Sequence, residues 1–160
     1  MRLFLLLGGN LGNRVALLQQ AQAQLAQAVG PVVQASGLYE TAAWGVTEQP
    51  PYLNQVLEMH TTLPPLEILD RTQAIEQVLG RVRLERWGAR PIDIDLLYYG
   101  DLVCQTDRLT LPHPLLHHRR FALVPLGQIA PDFVHPVLNK TNTQLLAECA
   151  DEGAVNTFAP

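Results

Sequence analysis

The run Ile92-Asp93-Ile94-Asp95-Leu96-Leu97-Tyr98-Tyr99 constrains the fold more than any other segment of the chain. It reads as a strand over residues 92–99, and successive side chains of a strand point to opposite faces. Ile92, Ile94 and Leu96 then share one apolar face, while Asp93 and Asp95 share the other. Aspartate is depleted in strands, and carboxylates side by side repel. A sheet that accepts this segment needs an apolar layer on one side and a source of positive charge on the other. Either a hard divalent cation or neighbouring arginines would meet that need. Arginines are at hand, since Arg81, Arg83, Arg86 and Arg90 all precede the strand within a short stretch.

The remaining chain divides at its glycines and prolines. Residues 2–7 form an apolar run that ends at Gly8-Gly9, which reads as a buried strand closing in a turn. Asn10 or Asn13 can cap a helix over 13–28, where Val15, Leu18, Ala21, Leu25 and Ala28 recur at helical spacing. Gly30-Pro31 stops it. Strands are expected over 32–41 and 53–63, a helix over 66–79 opened by Pro64-Pro65, and a hairpin arm over 102–110. Short helices follow near 121–129 and 143–150. The order strand, helix, strand, strand, helix, strand predicts an α+β fold, a ferredoxin-like βαββαβ sandwich. In this expectation an antiparallel sheet is covered by helices on one face and carries a C-terminal helical and hairpin extension. One domain over 1–160 accounts for the length.

Composition excludes several classes of function. With 48% hydrophobic and 16% charged residues the chain suits a compact globule. No stretch approaches the ~20 apolar residues of a membrane span. The apolar start is too short for a secretory signal, so a cytoplasmic location is expected. Cys104 and Cys149 form no metal motif and read as buried free thiols. A net charge of −4 argues against nucleic acid as a partner. Lys140 is the only lysine among 11 basic residues, so no Walker or kinase lysine is available. Gly8-Gly9-Asn10-Leu11-Gly12 is likewise neither GxxxxGK[ST] nor GxGxxG.

What can do chemistry lies in two groups. Asp93 and Asp95 beside the arginines make a place where a metal and a polyphosphate could meet. Tyr52 and Asn54 flank Leu53 and so point the same way. They offer a stacking face beside an amide that both donates and accepts, which suits a flat heterocycle. Phe121 and Trp87 could supply opposing walls, and His113 or Arg108 could meet a phosphate. The connections 42–51 and 81–91 are longer than the usual ~4–6 residues, as lids and binding loops are. These residues alone leave open a ligand sensor, an RNA-binding module and a metal-dependent nucleotidyl transferase. The acidic central strand disfavours the second.

Several segments together resemble the 6-hydroxymethyl-7,8-dihydropterin pyrophosphokinase family of folate biosynthesis. They are Leu7-Gly8-Gly9-Asn10-Leu11-Gly12-Asn13, Tyr39-Glu40-Thr41, Gln49-Pro50-Pro51-Tyr52-Leu53-Asn54, Gly80-Arg81-Val82-Arg83 and Arg86-Trp87-Gly88-Ala89-Arg90-Pro91-Ile92-Asp93-Ile94-Asp95. Leu109-Thr110-Leu111-Pro112-His113-Pro114 and Arg119-Arg120-Phe121-Ala122-Leu123-Val124-Pro125-Leu126 complete the set. The resemblance implies transfer of pyrophosphate from ATP to the pterin hydroxymethyl group, with AMP released and a monomer acting alone on small molecules. Carried over by motif, Asp93 and Asp95 would hold two Mg²⁺ ions, with Arg81 and Arg90 stabilising the transferring group. Tyr52 and Phe121 would sandwich the pterin. Asn54 and the backbone of Thr41, Ala42 and Trp44 would read its edge, and Trp87 would close over it. Gln73, Glu76, Arg83, Leu96, Arg108, Thr110, His113 and Arg119 would surround ATP. Ala42-Ala43-Trp44 and Ala89 depart from the usual Pro-Pro-Leu and proline of the family, and Arg120 precedes Phe121 where the family has a glycine or another residue.

Overall fold

The computed structural model describes residues 1–42, 49–80 and 90–160. Eight strands and four α-helices are described: β1 Arg2–Gly9, α1 Arg14–Ala28, β2 Val32–Ala35, β3 Leu38–Thr41, β4 Tyr52–His60, α2 Pro65–Val78, β5 Asp93–Tyr99, β6 Cys104–Gln105, β7 Thr110–Leu111, α3 Arg120–Ile129, α4 Asn142–Glu148 and β8 Asn156–Phe158. A 3-10 turn, Leu116–His118, precedes α3. Asn13, not Asn10, caps α1, its side chain accepting from the Ala16 amide at 3.1 Å. Pro64-Pro65 opens α2 as expected, since proline at a first helical position gives up only an amide that has no intrahelical partner.

The main sheet runs β5-β1-β4-β3-β8, with β2 also paired to β4, and every pairing in it is antiparallel. β1 lies between β4 and β5, and Leu3 to Leu7 are all but inaccessible to solvent. Such a strand must be covered on both sides, which corrects the expectation of helices on one face only. Leu3, Leu5 and Leu7 pack with Leu18 and Leu25 of α1 and Ile68 and Ile75 of α2. Phe4 and Leu6 pack with Ala122, Leu123 and Leu126 of α3 and Leu145 of α4. The expected strand 32–41 is in fact two strands. Ser36 interrupts it, its hydroxyl accepting the Val56 amide at 2.9 Å.

The alternation expected of 92–99 holds only as far as Leu96. Leu5 pairs with Leu96 but Phe4 with Tyr98, so Leu97 is an extra residue on β5. The bulge turns Tyr98 toward the α3 face, where its hydroxyl donates to Asn142 Oδ1 at 2.8 Å and burial pushes its pKa up. β8 extends the sheet from β3 and has no counterpart in the sequence reading, because a three-residue strand carries too little pattern to detect. Cys104 and Cys149 are free thiols, half-buried where full burial was expected. Among the described residues no helix is long and apolar enough to cross a membrane.

His135, buried beside Tyr98, gives the fold a pH dependence. Its Nδ1 accepts the amides of Val137 at 3.2 Å and Leu138 at 3.1 Å. Burial, and then the charge of His117, hold its pKa below the ordinary 6.5. The unfolded chain therefore binds the proton more readily. The stabilisation is complete above pH 6.5 and is lost as pH falls through the lowered value. Calorimetry should show a smaller drop in melting temperature for His135→Asn than for the native protein between about pH 7.5 and about pH 5. Asparagine offers a similarly placed acceptor that does not titrate, so an equal drop in both proteins would remove His135 as the cause.

Candidate active site

A cavity of about 190 Å³ opens on the α3 face of the sheet. It is lined by Leu6 and Gly8 of β1, Thr41, Ala42, Tyr52 and Asn54 of the β3–β4 pair, Arg90, Asp93 and Asp95 around the start of β5, and Arg119 and Phe121 at the start of α3. The strand register brings them together. Asp93 lies beside Gly8, Asp95 beside Leu6, and Asn54 across Gly8 on the other side. Residues at alternate positions of three neighbouring strands thus project onto one patch. Ile94 and Leu96 point the other way, into the core under α1 and α2.

Gly8 is a requirement of that packing. A Cβ there would come within 2.8 Å of Asn54 Oδ1. Asn54 is itself buried, and its Nδ2 donates to Thr41 Oγ1 at 3.0 Å, which fixes the amide plane. Arg90 Nη1 donates to Asp93 Oδ2 at 3.1 Å, so one carboxylate already has a guanidinium beside it. His113 lies near enough to Arg119 and Asp93 to feel their charges. Burial and the charge of Arg119 lower its pKa to about 4, with Asp93 opposing them. Its Nδ1 accepts the Leu115 amide at 3.1 Å. At neutral pH the imidazole is therefore uncharged and carries its proton on Nε2, a donor available to an anionic oxygen.

Asn10 is a residue whose role the sequence did not disclose. It is buried, and it ties the roots of both long connections to β1. Its Nδ2 donates to Gln49 Oε1 and to the Pro50 carbonyl, each at 3.0 Å. Its Oδ1 accepts the Arg90 amide at 2.9 Å, and its own amide donates to the Arg90 carbonyl at 2.9 Å. The signal available in the sequence was an asparagine directly after Gly8-Gly9, which the sequence left as one of two candidate caps for α1.

The structure gathers Thr41, Ala42, Tyr52, Asn54, Arg90, Asp93, Asp95, Arg119 and Phe121 of the expected site residues around the one cavity. The rest of the expected ATP set lies elsewhere. Leu96 is in the core under α1 and α2. Glu76 is buried in α2, where its Oε2 accepts the Ile94 amide of β5 at 2.8 Å. Arg108 pairs with Asp70 at 2.5 Å and reaches Gln73 Oε1 at 3.5 Å. Thr110 and His113 line a second hollow of about 360 Å³ beyond the β6–β7 hairpin. Trp44, Arg81, Arg83 and Trp87 lie outside the described residues.

The donor set of the first cavity can be tested against a metal. Among the described residues no cluster of three or more His, Cys, Asp or Glu side chains could hold an ion. Two carboxylates alone do not suit zinc, which takes three or four protein ligands. They do suit Mg²⁺, which commonly takes one or two carboxylates and completes its shell with water and substrate phosphate.

Comparison with known proteins bears on the same residues. The profile of the family described as "7,8-dihydro-6-hydroxymethylpterin-pyrophosphokinase (HPPK)" matches residues 4–131. The chain is 46% identical over 155 residues to a 2-amino-4-hydroxy-6-hydroxymethyldihydropteridine pyrophosphokinase of Synechocystis, covering 96% of this chain and 78% of that one. It is 40% identical over 152 residues to the protein of the same name from Haemophilus influenzae, covering 94% and 92%. A solved Plasmodium falciparum HPPK-DHPS with pteroate superposes with a TM-score of 0.74 at 17% identity, which speaks to the fold alone. This chain matches over 92% of its own length but spans only 42% of that longer chain. With the family profile covering most of the sequence and close relatives covering nearly all of it, the chain belongs to the 7,8-dihydro-6-hydroxymethylpterin-pyrophosphokinase family.

Proposed function

We propose that the protein transfers pyrophosphate from ATP to the hydroxymethyl group of 6-hydroxymethyl-7,8-dihydropterin, in the folate pathway. What carries this reading is one cavity that holds a carboxylate pair, two guanidinium groups and an amide beside aromatic side chains, in a chain of this family. The frame is the ferredoxin-like βαββαβ arrangement, acting as one domain over 1–160 and as a cytoplasmic monomer.

Tyr52 and Phe121 hold the two faces of the pterin ring, and Asn54 reads its edge with the backbone at Thr41, Ala42 and Trp44. Thr41 holds the Asn54 amide still before the ring arrives. Asp93 and Asp95 would hold two Mg²⁺ ions, which would supply positive charge to neutralise the triphosphate. Gln73, Arg83, Arg108, Thr110, His113 and Arg119 surround ATP, and the buried Glu76 and Leu96, expected in the same set, support that wall from within the core. Arg81 and Arg90 balance charge on the group in transfer, and Trp87 closes the site against water. The pterin hydroxyl oxygen bonds to the β-phosphorus as the bond from that phosphorus to the bridging oxygen of AMP breaks. The hydroxyl proton passes to solvent. No strong base is needed, because positioning and charge stabilisation lower the barrier. His113 donates through Nε2 without adding a charge of its own.

Incubating the protein with Mg-ATP and the hydroxymethyl-dihydropterin should give AMP and the pterin diphosphate in equal amounts by chromatography. ADP as the nucleotide product would sink this reading, and free pyrophosphate would favour a nucleotidyl transferase.

A further inference from the structure

α3 begins under unfavourable conditions. Its cap position is Arg119, which makes no side-chain capping bond, and its first turn contains no acidic residue. Arg119 and Arg120 instead place two positive charges at the end of the helix where its dipole is already positive. Amides of a helical first turn have no partner within the helix and need an acceptor from outside. Here the acceptor comes from the far end of the chain. Asp151 Oδ2 accepts the Arg120 amide at 3.1 Å, while its Oδ1 accepts the Gly153 amide at 2.9 Å.

Both neighbours of Arg120 line the cavity. The amide of Arg119 is independently tied to the Leu116 carbonyl of the preceding 3-10 turn at 3.2 Å. Among the described residues Phe121 has no such tie upstream of α3, and its backbone is placed by the first turn that Asp151 caps. The segment carrying Asp151 is anchored at both sides. α4 precedes it and packs against the α3 cluster, and β8 follows it and pairs with β3, whose last residue is Thr41.

We propose that Asp151 is a positioning residue of the active site, acting through the first turn of α3 to hold Phe121 against the pterin. It lies beyond residue 131, where the family match ends, and it touches no reacting atom. The proposal rests on the pyrophosphokinase reading above. Its expected signature is selective, because Phe121 faces the pterin while Arg119 has its own anchor. Asp151→Ala should raise the KM for the pterin about fivefold, near the range expected for loss of a helix cap. The kcat and the KM for Mg-ATP should stay within about twofold of native. Asp151→Asn should restore most of the pterin KM, because its amide oxygen caps about as well as a carboxylate. Glu152→Ala, at the exposed neighbouring position, should change neither constant. A pterin KM in Asp151→Ala within about twofold of native would overturn the proposal. So would equal rises for both substrates, or failure of Asp151→Asn to restore binding. A native protein that forms no AMP would instead overturn the pyrophosphokinase reading, and this proposal with it.

Discussion

Asp95→Ala should abolish useful turnover while leaving the protein folded. Asp95 lines the cavity and is only half-buried, whereas Ile94 and Leu96 on either side are in the core. Removing its carboxylate therefore opens no void among packed side chains. It does remove one of the two carboxylates available to a metal, and with it charge that must be in place when pyrophosphate moves. A loss of about three orders of magnitude or more in kcat is expected, on the scale seen when a main source of transition-state charge stabilisation is deleted. AMP formation at saturating substrates measures this, and a thermal melt of the same sample reports on the fold. Near-native turnover would remove Asp95 from the metal site. Asp93→Ala would also release Arg90 from its ion pair.

The second large effect is on stability and comes from a position with no side chain. A Cβ on Gly9 would lie 2.1 Å from the Pro91 carbonyl oxygen and 2.8 Å from the Pro91 carbonyl carbon. Both are backbone atoms, so no side chain can turn aside to relieve the clash. The end of β1 and the segment Arg90-Pro91 would have to separate, breaking the two bonds between Asn10 and the Arg90 backbone. Gly9→Ala should destabilise the protein by about 3 kcal/mol or more and lower its melting temperature by roughly 10 °C. Gly127→Ala in α3 is the control. There a Cβ would meet only Leu146 Cδ2, at 4.0 Å, and the change should be neutral or stabilising. A melting temperature for Gly9→Ala equal to native would show that the close approach of β1 to Pro91 does not exist in solution.

Much of this site is legible in the chain because its parts are local. Asp93 and Asp95, like Tyr52 and Asn54, are two residues apart in strands, and the period of a strand puts each pair on one face whatever surrounds it. The helices α1 and α2 are readable for a similar reason, since their apolar spacing and their proline and glycine boundaries all lie within each segment. The bulge at Leu97 is not readable. It arises from pairing with β1, and nothing in Leu96-Leu97-Tyr98 marks which residue is the extra one. Asn10 was equally hidden, because its partners Gln49, Pro50 and Arg90 lie about 40 and 80 residues away.

By itself, then, the sequence determined the kinds of groups present and which close neighbours share a face: the carboxylate pair, the tyrosine beside an amide, and the arginines. Steric alternation along an extended backbone acts over two residues and needs no fold to operate. Only the tertiary structure decided that the two pairs face one another across Gly8, that α3 covers this face, and that a carboxylate from the tail caps α3. Those choices depend on strand register and on helix packing across the sheet, where residues far apart in the chain must fit together. The aspartates of β5 thus had their face fixed by local geometry, while their place beside Arg90, Asn54 and Phe121 was fixed by the fold.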